Sequence, residues 1–289
     1  CGHDVHTASL LGAAKILYDL RDSWSGTIKL LFQPGEERLP GGASQMIAQG
    51  ALKSPEPVGI LGQHVEPFLE TGMVGFCSGP YMASADEIYI TLKGKGGHAA
   101  MPQKIVDPIL MSAHLLTLLQ QIISRNTHPA TPAVLSFGKI WSEGGATNII
   151  PNEVKLMGTF RTMDEEWRFQ AHEHIRRITN QLAASMGGAA DIDIMVGYPP
   201  LYNDPTLTGK SKQLAVAYPG ADRVVDLPIR MTSEDFAFYS QQIPACFYRL
   251  GTGNSQKGIQ SAVHTDSFDI DEESLKIGSG LMVWLAVAS

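Results

Sequence analysis

The order of hydrophobic and polar residues divides the chain into two patterns. Over residues 1–82, short apolar runs alternate with amphipathic stretches, as in a doubly wound α/β fold with a parallel sheet. The runs TIKLLFQ (27–33) and VGILGQH (58–64) are apolar at their centres, which is typical of strands buried on both faces. A helix capped by Asp4 is predicted before the first run, with an apolar face made of Leu10, Ala13, Ala14, Leu17 and Leu20.

From Ala83 onward the pattern becomes that of an α+β domain. ADEIYITLKG alternates like a half-exposed strand, and Asp107-Pro108 provides the cap and first-turn proline of a long helix. Two alternating runs, a helix and a last strand follow: AVLSFGKIW, EVKLMGTFR, DEEWRFQAHEHIRRITNQLAASM and ADIDIMVGY. The resulting β-α-β-β-α-β order is that of a split βαβ, ferredoxin-like unit. We therefore predict an inserted ferredoxin-like domain at residues 83–197, within an α/β domain made of 1–82 and 198–289.

After residue 197 the pattern returns to that of an α/β domain. SEDFAFYSQQI predicts a capped helix, ACFYRLG a strand, and DEESLKIGSGLMVWLAVA a closing helix. These elements complete the domain that residues 1–82 begin.

Composition and charge exclude several classes of partner. The 289 residues are 44% hydrophobic, enough for a sizeable core, and the formal net charge is −7. A net negative charge disfavours binding to nucleic acid or to an anionic membrane surface, because both are also negatively charged. No run approaches the roughly eighteen apolar residues of a membrane span. The three cysteines, Cys1, Cys77 and Cys246, are too few and too widely spaced for a disulfide framework, which favours a reducing cytoplasm.

Metal-ligating side chains follow both predicted strands of the first eighty residues. Glu36 and Glu37 come directly after the first strand, and His64 ends the second. Because the carboxyl ends of parallel strands meet at one edge of a sheet, we expect these three side chains to lie close together. Cys1, His3 and His264 are further ligands of the types that borderline divalent metals prefer.

The adjacent glutamates suggest hydrolysis assisted by a metal. One carboxylate can bind an ion while its neighbour takes a proton from the activated water. Taken singly, each residue has a simpler explanation: a solvated turn for Glu36-Glu37, a half-buried histidine for His64, and a loop residue for His264. Their joint placement favours the metal site.

The motifs resemble one family along the whole chain. CGHDVHTASLLGAAKIL, LFQPGEE, GQHV, SADEIYITLKGKGGHAAMP, TNIIP, SEDFAFYSQQIP and VHTDSFDID occur in the order found in M20 metallopeptidases. They resemble in particular the amidohydrolase branch, which holds hippurate hydrolases, auxin-conjugate hydrolases and N-acyl-amino-acid deacylases. The resemblance implies a metal-binding domain interrupted by a ferredoxin-like lid that also forms a homodimer.

The resemblance also implies roles at the metal site. Two divalent ions per subunit would be bound, zinc or manganese first, with nickel or cobalt also compatible with the ligands. Glu36 matches the general base that activates the water. Asp4 and His6 fit positions that orient the ligands, although a helix cap and a surface histidine explain them equally well. The implied ligands are Cys1, His3, Glu37, His64 and His264.

Three residues of the inserted domain match catalytic or substrate-binding positions by this likeness. His98, in GKGGHAAMP, would reach the partner subunit's active site and stabilise the tetrahedral oxyanion. Asn148, in TNIIP, would contact that oxyanion or the substrate carboxylate. For Arg161 we favour a structural salt bridge over substrate binding. The remaining histidines of this domain are assigned to the surface: His114, His128, His172 and His174.

Two departures from the family pattern bear on the prediction. Gln103 follows AAMP, where relatives often carry histidine, which affects lid contacts or substrate preference rather than the metals. Relatives also carry a substantial segment before the cysteine motif that supplies strands and helices of the metal domain. Without such a segment, we expect the sheet to expose apolar surface and an unpaired edge.

The sequence thus predicts an amidohydrolase that cleaves N-acyl amino acids or small amide conjugates through a metal-activated water. Two alternatives stay open. The chain without an upstream segment could dimerise through its lid yet bind metal poorly and catalyse nothing. Cys1 could instead act as an N-terminal nucleophile with its own α-amine as base and no metal, although this leaves the glutamates and histidines without a purpose.

Overall fold

A computed structural model describes residues 1–288 and contains two compact units. The first unit comprises Cys1–Tyr81, Leu201–Ile229 and Glu234–Ser289, and the second comprises Met82–Pro200 and Arg230–Ser233. No helix within the described residues is long and apolar enough to cross a membrane.

The described residues form both helices and strands. The helices are α1 (His3–Asp19), α2 (Gly42–Ala48), α3 (Pro108–Gln121), α4 (Glu165–Ser185), α5 (Pro205–Ala217), α6 (Ala237–Ser240) and α7 (Glu273–Ala288). The strands are β1 (Ile60–Glu70), β2 (Val74–Phe76), β3 (Gly79–Met82), β4 (Asp86–Lys93), β5 (Gly97–His98), β6 (Ala133–Trp141), β7 (Ile149–Ile150), β8 (Glu153–Thr162), β9 (Ala189–Val196), β10 (Leu201–Asn203), β11 (Val224–Asp226) and β12 (Ala245–Gly253). The chain therefore has a mixed α/β fold.

The main sheet of the first unit is mixed, so the prediction of a parallel sheet is wrong in part. Its strand order is β1-β12-β2-β11. Strands β1 and β12 run parallel, as do β2 and β11, but β12 and β2 are antiparallel. The cause is the short turn between β1 and β2, because a parallel crossover needs about a dozen residues or more.

The predicted strand at 27–33 is not a strand in the structure. A strand requires a neighbouring strand to pair with its backbone N–H and C=O groups. This segment is instead held by one of its own side chains: Lys29 Nζ donates to the carbonyls of Ala51, Lys53 and Pro55 at 2.7–3.2 Å. Residues 27–33 and 58–64 both line a cavity of about 1010 Å³. Strand β1, at the edge of its sheet, supplies part of that lining.

Helices α1 and α7 pack together through Ala13, Leu17 and Val283. Helix α1 begins at His3 with Gly2 as its N-cap, so the prediction that Asp4 caps this helix is wrong. Gly2 has a φ of 73°, and a Cβ there would lie 3.1 Å from the Phe268 ring. Asp4 lies in the first turn, where its charge suits the positive end of the helix dipole.

The second unit has the predicted β-α-β-β-α-β order in its four long strands and two helices. Its main sheet, of order β6-β8-β4-β9, is antiparallel throughout, and α3 and α4 pack against it around Ile88, Leu115 and Ile175. Asp107 caps α3 by accepting from the Ile109 and Leu110 amides at 2.8 and 3.1 Å, as predicted. In contrast, the predicted helix SEDFAFYSQQI of the first unit is helical only at Ala237–Ser240.

The assignment of His172 to the surface is wrong. Its side chain is 2% exposed, and Nε2 lies 2.8 Å from Asp86 Oδ2. Asp86 also accepts hydrogen bonds from Arg168, whose guanidinium is equally buried. Burial on its own would raise the pKa of Asp86, but the hydrogen bonds from Arg168 and His172 outweigh it and lower the pKa. His114 and His128 are exposed, as predicted.

Candidate metal centre

The start of helix α1 brings two of the predicted ligands to one place. Cys1 precedes the helix and His3 is its first residue, so both side chains project from its N-terminal end. Cys1 Sγ contacts His264 Nε2, although the two residues are 263 positions apart. His264 has a φ of 64°, a left-handed conformation that is rare for a residue with a side chain. Such backbone strain is concentrated at functional sites.

The loop 34–41, which joins residue 33 to helix α2, carries the two glutamates. His3 Nε2 lies 3.8 Å from Glu36 Oε2 and 3.9 Å from Glu37 Oε1. Glu37 Oε1 also lies 3.6 Å from His264 Nε2. The glutamates therefore meet the predicted ligands even though the segment before them is not a strand.

His64 comes from strand β1 and is 8% exposed. Its Nδ1 lies 2.8 Å from the Val65 carbonyl, so Nδ1–H donates and Nε2 keeps a lone pair for a metal. His6, one turn along α1 from His3, accepts a hydrogen bond from the Val65 amide at 3.0 Å. This contact ties the helix to the strand beside His64, as expected of a residue that orients ligands.

The six predicted residues form three overlapping sets of metal donors. In each set the ligand atoms all lie within 4.8 Å of one another, and Cys1 belongs to two of the sets. A thiolate, imidazoles and carboxylates suit borderline divalent ions. The sets share residues, so the donors of each set lie next to those of the others. The sets are Cys1–His3–His64, Cys1–Glu37–His264 and His3–Glu36–Glu37.

Burial shifts the pKa values of several side chains at the site in the direction that favours their neutral forms. It lowers the pKa of His3 and His64, which keeps these two imidazoles available as candidate metal ligands, and it lowers the pKa of His6 to about 3. Burial also raises the pKa of Glu36 to about 7, with the nearby charges of Glu37 and Asp235 adding to the effect. A carboxyl group with a pKa near neutrality can accept and release a proton at pH 7.

The second unit holds the three remaining predicted residues. Strands β5 and β7 pair His98 with Ile149, and the Ala99 amide donates to the Asn148 carbonyl at 2.9 Å, so His98 and Asn148 are neighbours. Arg161 donates from Nη1 to the Met231 carbonyl at 3.2 Å, which ties it to backbone.

Sequence reasoning missed several buried polar residues of the first unit. Asp235 is 0% exposed and accepts hydrogen bonds from the Gln33 side chain and the Ala43 amide. Beside it, burial raises the pKa of Glu234 to about 8, and the charge of Glu36 adds to this rise. Arg249 is buried and donates from Nε to the Tyr81 hydroxyl at 3.0 Å. The sequence did carry a signal for Glu234 and Asp235, because they form an adjacent charged pair inside SEDFAFYSQQI. We interpreted this segment only as a capped helix.

Comparison with known proteins places the chain in a family. A family model described as peptidase family M20/M25/M40 matches residues 1–287. The chain belongs to this family. It is 40% identical over 276 residues to N-acetyl-L-cysteine deacetylase of Bacillus subtilis (strain 168), and the match covers 95% of this chain and 64% of that protein. IAA-amino acid hydrolase ILR1-like 4 of Arabidopsis thaliana is 36% identical over 291 residues, covering 99% and 65%.

A solved M20 structure has the same fold. It is a Bacillus subtilis protein described as a dinuclear metal binding peptidase from the M20 family, with a TM-score of 0.82 and 32% identity, covering 99% of this chain and 72% of its own. The chain spans just under two thirds of the length of the two curated relatives described above. The predicted family is thereby confirmed, and the relatives' names match its amidohydrolase branch.

Proposed function

We propose that this M20 protein is an amidohydrolase that cleaves the amide bond of N-acyl amino acids or small amide conjugates through a water activated by two divalent ions. The observation that carries the proposal is the overlap of the donor sets around Cys1, His3 and Glu37, with Glu36 beside them. The names of the relatives, a deacetylase of an N-acetyl amino acid and a hydrolase of IAA–amino acids, support this substrate class.

The proposed roles follow from the chemistry of each side chain. When bound, the two ions polarise the substrate carbonyl and make a water molecule more acidic. Cys1, His3, Glu37, His64 and His264 hold the ions. Glu36 takes the proton from the water at its carboxylate and later passes it to the leaving amine, which its pKa near 7 suits.

We further propose that the second unit acts as a lid and forms the homodimer. His98 would donate a hydrogen bond to the oxyanion at the partner subunit's active site, and Asn148 beside it would contact the oxyanion or the substrate carboxylate. The hydrogen bond from Arg161 to backbone supports a structural role for that residue.

The chemistry of the proposed ligands supports some metals over others. A cysteine thiolate favours zinc, while the carboxylates and imidazoles also suit manganese, with nickel and cobalt as weaker candidates. We propose zinc or manganese.

The experiment that tests the proposal combines metal analysis with an activity panel. Metal content per chain is measured by elemental analysis, and hydrolysis of N-acetyl-L-cysteine, other N-acetyl amino acids and an IAA–amino acid conjugate is followed with and without chelator. We expect close to two ions per chain and turnover that chelator removes and added metal restores. Little or no bound metal and no turnover would support a dimerising protein that has lost activity, and turnover that resists chelator would support Cys1 as a nucleophile.

A further inference from the structure

The loop 34–41, which carries Glu36 and Glu37, is held in part by short-range hydrogen bonds: Ser44 Oγ, just after it, donates to the Pro40 and Gly41 carbonyls at 2.9 Å. Within it the Arg38 amide donates to the Gly35 carbonyl at 3.3 Å, and the Gly41 amide donates to the Arg38 carbonyl at 2.9 Å. Most of its residues are exposed. A loop of this kind samples many conformations unless its two ends are fixed.

The two ends of the loop lie against each other. At Gly42, the first residue of α2, an added Cβ would come within 1.6 Å of the Pro34 carbonyl oxygen and 3.1 Å of the Gln33 side chain. The chain thus leaves Gln33, passes the two glutamates, and returns to Gly42 beside its starting point.

Asp235 connects both ends. One carboxylate oxygen accepts a hydrogen bond from Gln33 Nε2, before the loop, and the other accepts from the Ala43 amide at 3.1 Å, after it. The Gly42 amide also donates to this carboxylate. Asp235 is itself held at the start of α6, where its carbonyl accepts from the Phe238 amide at 2.9 Å. Its side chain is fully buried, so water does not compete for these hydrogen bonds.

We propose that Asp235 is a positioning residue that closes the loop 34–41 and thereby sets Glu36 and Glu37 in place for the metal site. This inference rests on the proposed function, since it assigns a task to Asp235 within that same site. A carboxylate suits this position because each of its two oxygens accepts from a donor on a different side of the loop. Groups that orient metal ligands in this way typically change metal affinity about 10–100-fold when they are lost.

A pair of substitutions at Asp235 tests its hydrogen bonds. Asp235→Ala removes both acceptors. Asp235→Asn keeps one oxygen for the Ala43 amide, and its NH₂ group can donate to Gln33 Oε1 once the Gln33 amide turns over, so this conservative variant should retain the connection. Asp226→Ala is the matched control, because Asp226 is an exposed aspartate of the same unit that pairs with Lys212.

Loop order is measured first, without metal and without substrate. Trypsin cleaves after Arg38, an exposed residue of the loop, and after Arg223, an exposed residue elsewhere in the unit. We expect Asp235→Ala to speed cleavage at Arg38 about tenfold or more and to leave cleavage at Arg223 unchanged, whereas Asp235→Asn should be cleaved at close to the parent rate. Cobalt titration of the same proteins, followed by thiolate–cobalt absorption from Cys1, is expected to show a loss of affinity in Asp235→Ala that Asp235→Asn largely avoids.

Three results would overturn the proposal: unchanged cleavage at Arg38 in Asp235→Ala, equal acceleration at Arg38 and Arg223, or cleavage at Arg38 that is as fast in Asp235→Asn as in Asp235→Ala. If Asp235→Ala does not fold, Gln33→Met decides, because it removes only the donor before the loop and should raise cleavage at Arg38 alone. These readouts do not depend on turnover. A parent chain that binds cobalt but hydrolyses nothing would contradict the proposed function and leave the test of Asp235 intact.

Discussion

His6 Nε2 accepts a hydrogen bond from the Val65 backbone amide at 3.0 Å, which joins helix α1 to strand β1 immediately beside His64. One side of this contact carries His3 and the other carries His64, and both belong to one set of metal donors. The hydrogen bond therefore helps to set the distance between two candidate ligands that lie 61 positions apart in the sequence.

We expect His6→Ala to weaken metal binding about tenfold, because it removes the acceptor that fixes β1 relative to α1. His6→Gln, whose side-chain oxygen can accept the same hydrogen bond, should retain more of the affinity. Cobalt titration of both variants checks the difference. Equal affinities in the two variants would contradict a role for this hydrogen bond in metal binding.

Glu36→Gln should abolish hydrolysis while the protein keeps its metal. The amide cannot take a proton from water, and loss of a general base typically costs about 10²–10⁴-fold in turnover. Metal content and kcat are measured on the same sample, with Glu272→Gln, at an exposed position of the first unit, as the control. Full activity in Glu36→Gln would exclude this residue as the base.

His98→Ala should lower kcat by about 100-fold or more, the usual effect of removing a donor to a developing oxyanion, with little change in metal content. The residue lies outside the metal donor sets, so binding of ions does not depend on it. His114→Ala, an exposed histidine of the same unit, is the control. A parallel loss of metal in His98→Ala would contradict the assigned role.

Asp86→Asn should destabilise the second unit by about 3–5 kcal/mol at neutral pH, because it leaves the buried Arg168 guanidinium without its main counter-charge. The folded-state pKa of Asp86 is lowered below the ordinary value of 3.8, so its stabilising contribution is present above that pH and is lost as the pH falls through the folded pKa.

The difference in unfolding free energy between the parent and Asp86→Asn should therefore shrink on acidification from about pH 7 to about pH 3, as measured by urea unfolding. Asp191→Asn, which removes an exposed ion pair with Lys93, should have only a small effect at either pH. A difference that stays constant with pH would mean that Asp86 is not the group whose charge matters.

Gly42→Ala should lower the free energy of unfolding by about 1–3 kcal/mol and weaken metal binding, because the added methyl group overlaps the Pro34 carbonyl at the base of the glutamate loop. Gly209→Ala is the matched control. Gly209 lies inside α5 with open space around it, and alanine there should stabilise the protein by about 0.4–1 kcal/mol. Thermal unfolding and cobalt titration separate the two outcomes. Normal metal binding in Gly42→Ala would show that the glutamates keep their positions even when the two ends of the loop are pushed apart.

Local features of the sequence determined much of the second unit and the identities of the candidate ligands. The Asp107 cap, the proline after it and the alternation in β4 are interactions between near neighbours, so their pattern can be read along the chain. The residue types at Cys1, His3, Glu36, Glu37, His64 and His264 indicated metal chemistry for the same reason: ligand chemistry belongs to each side chain.

Only the tertiary structure decided which residues meet and which strands form. Residues 27–33 have the composition of a buried strand but lack a paired strand, and the antiparallel pairing of β2 with β12 depends on a short turn that hydrophobic periodicity does not register. We assigned the polar residue His172 to the surface, and we interpreted the segment that contains Asp235 only as a capped helix. Their burial follows from partners 86 and 202 positions away, and such long-range contacts leave no local pattern in the sequence.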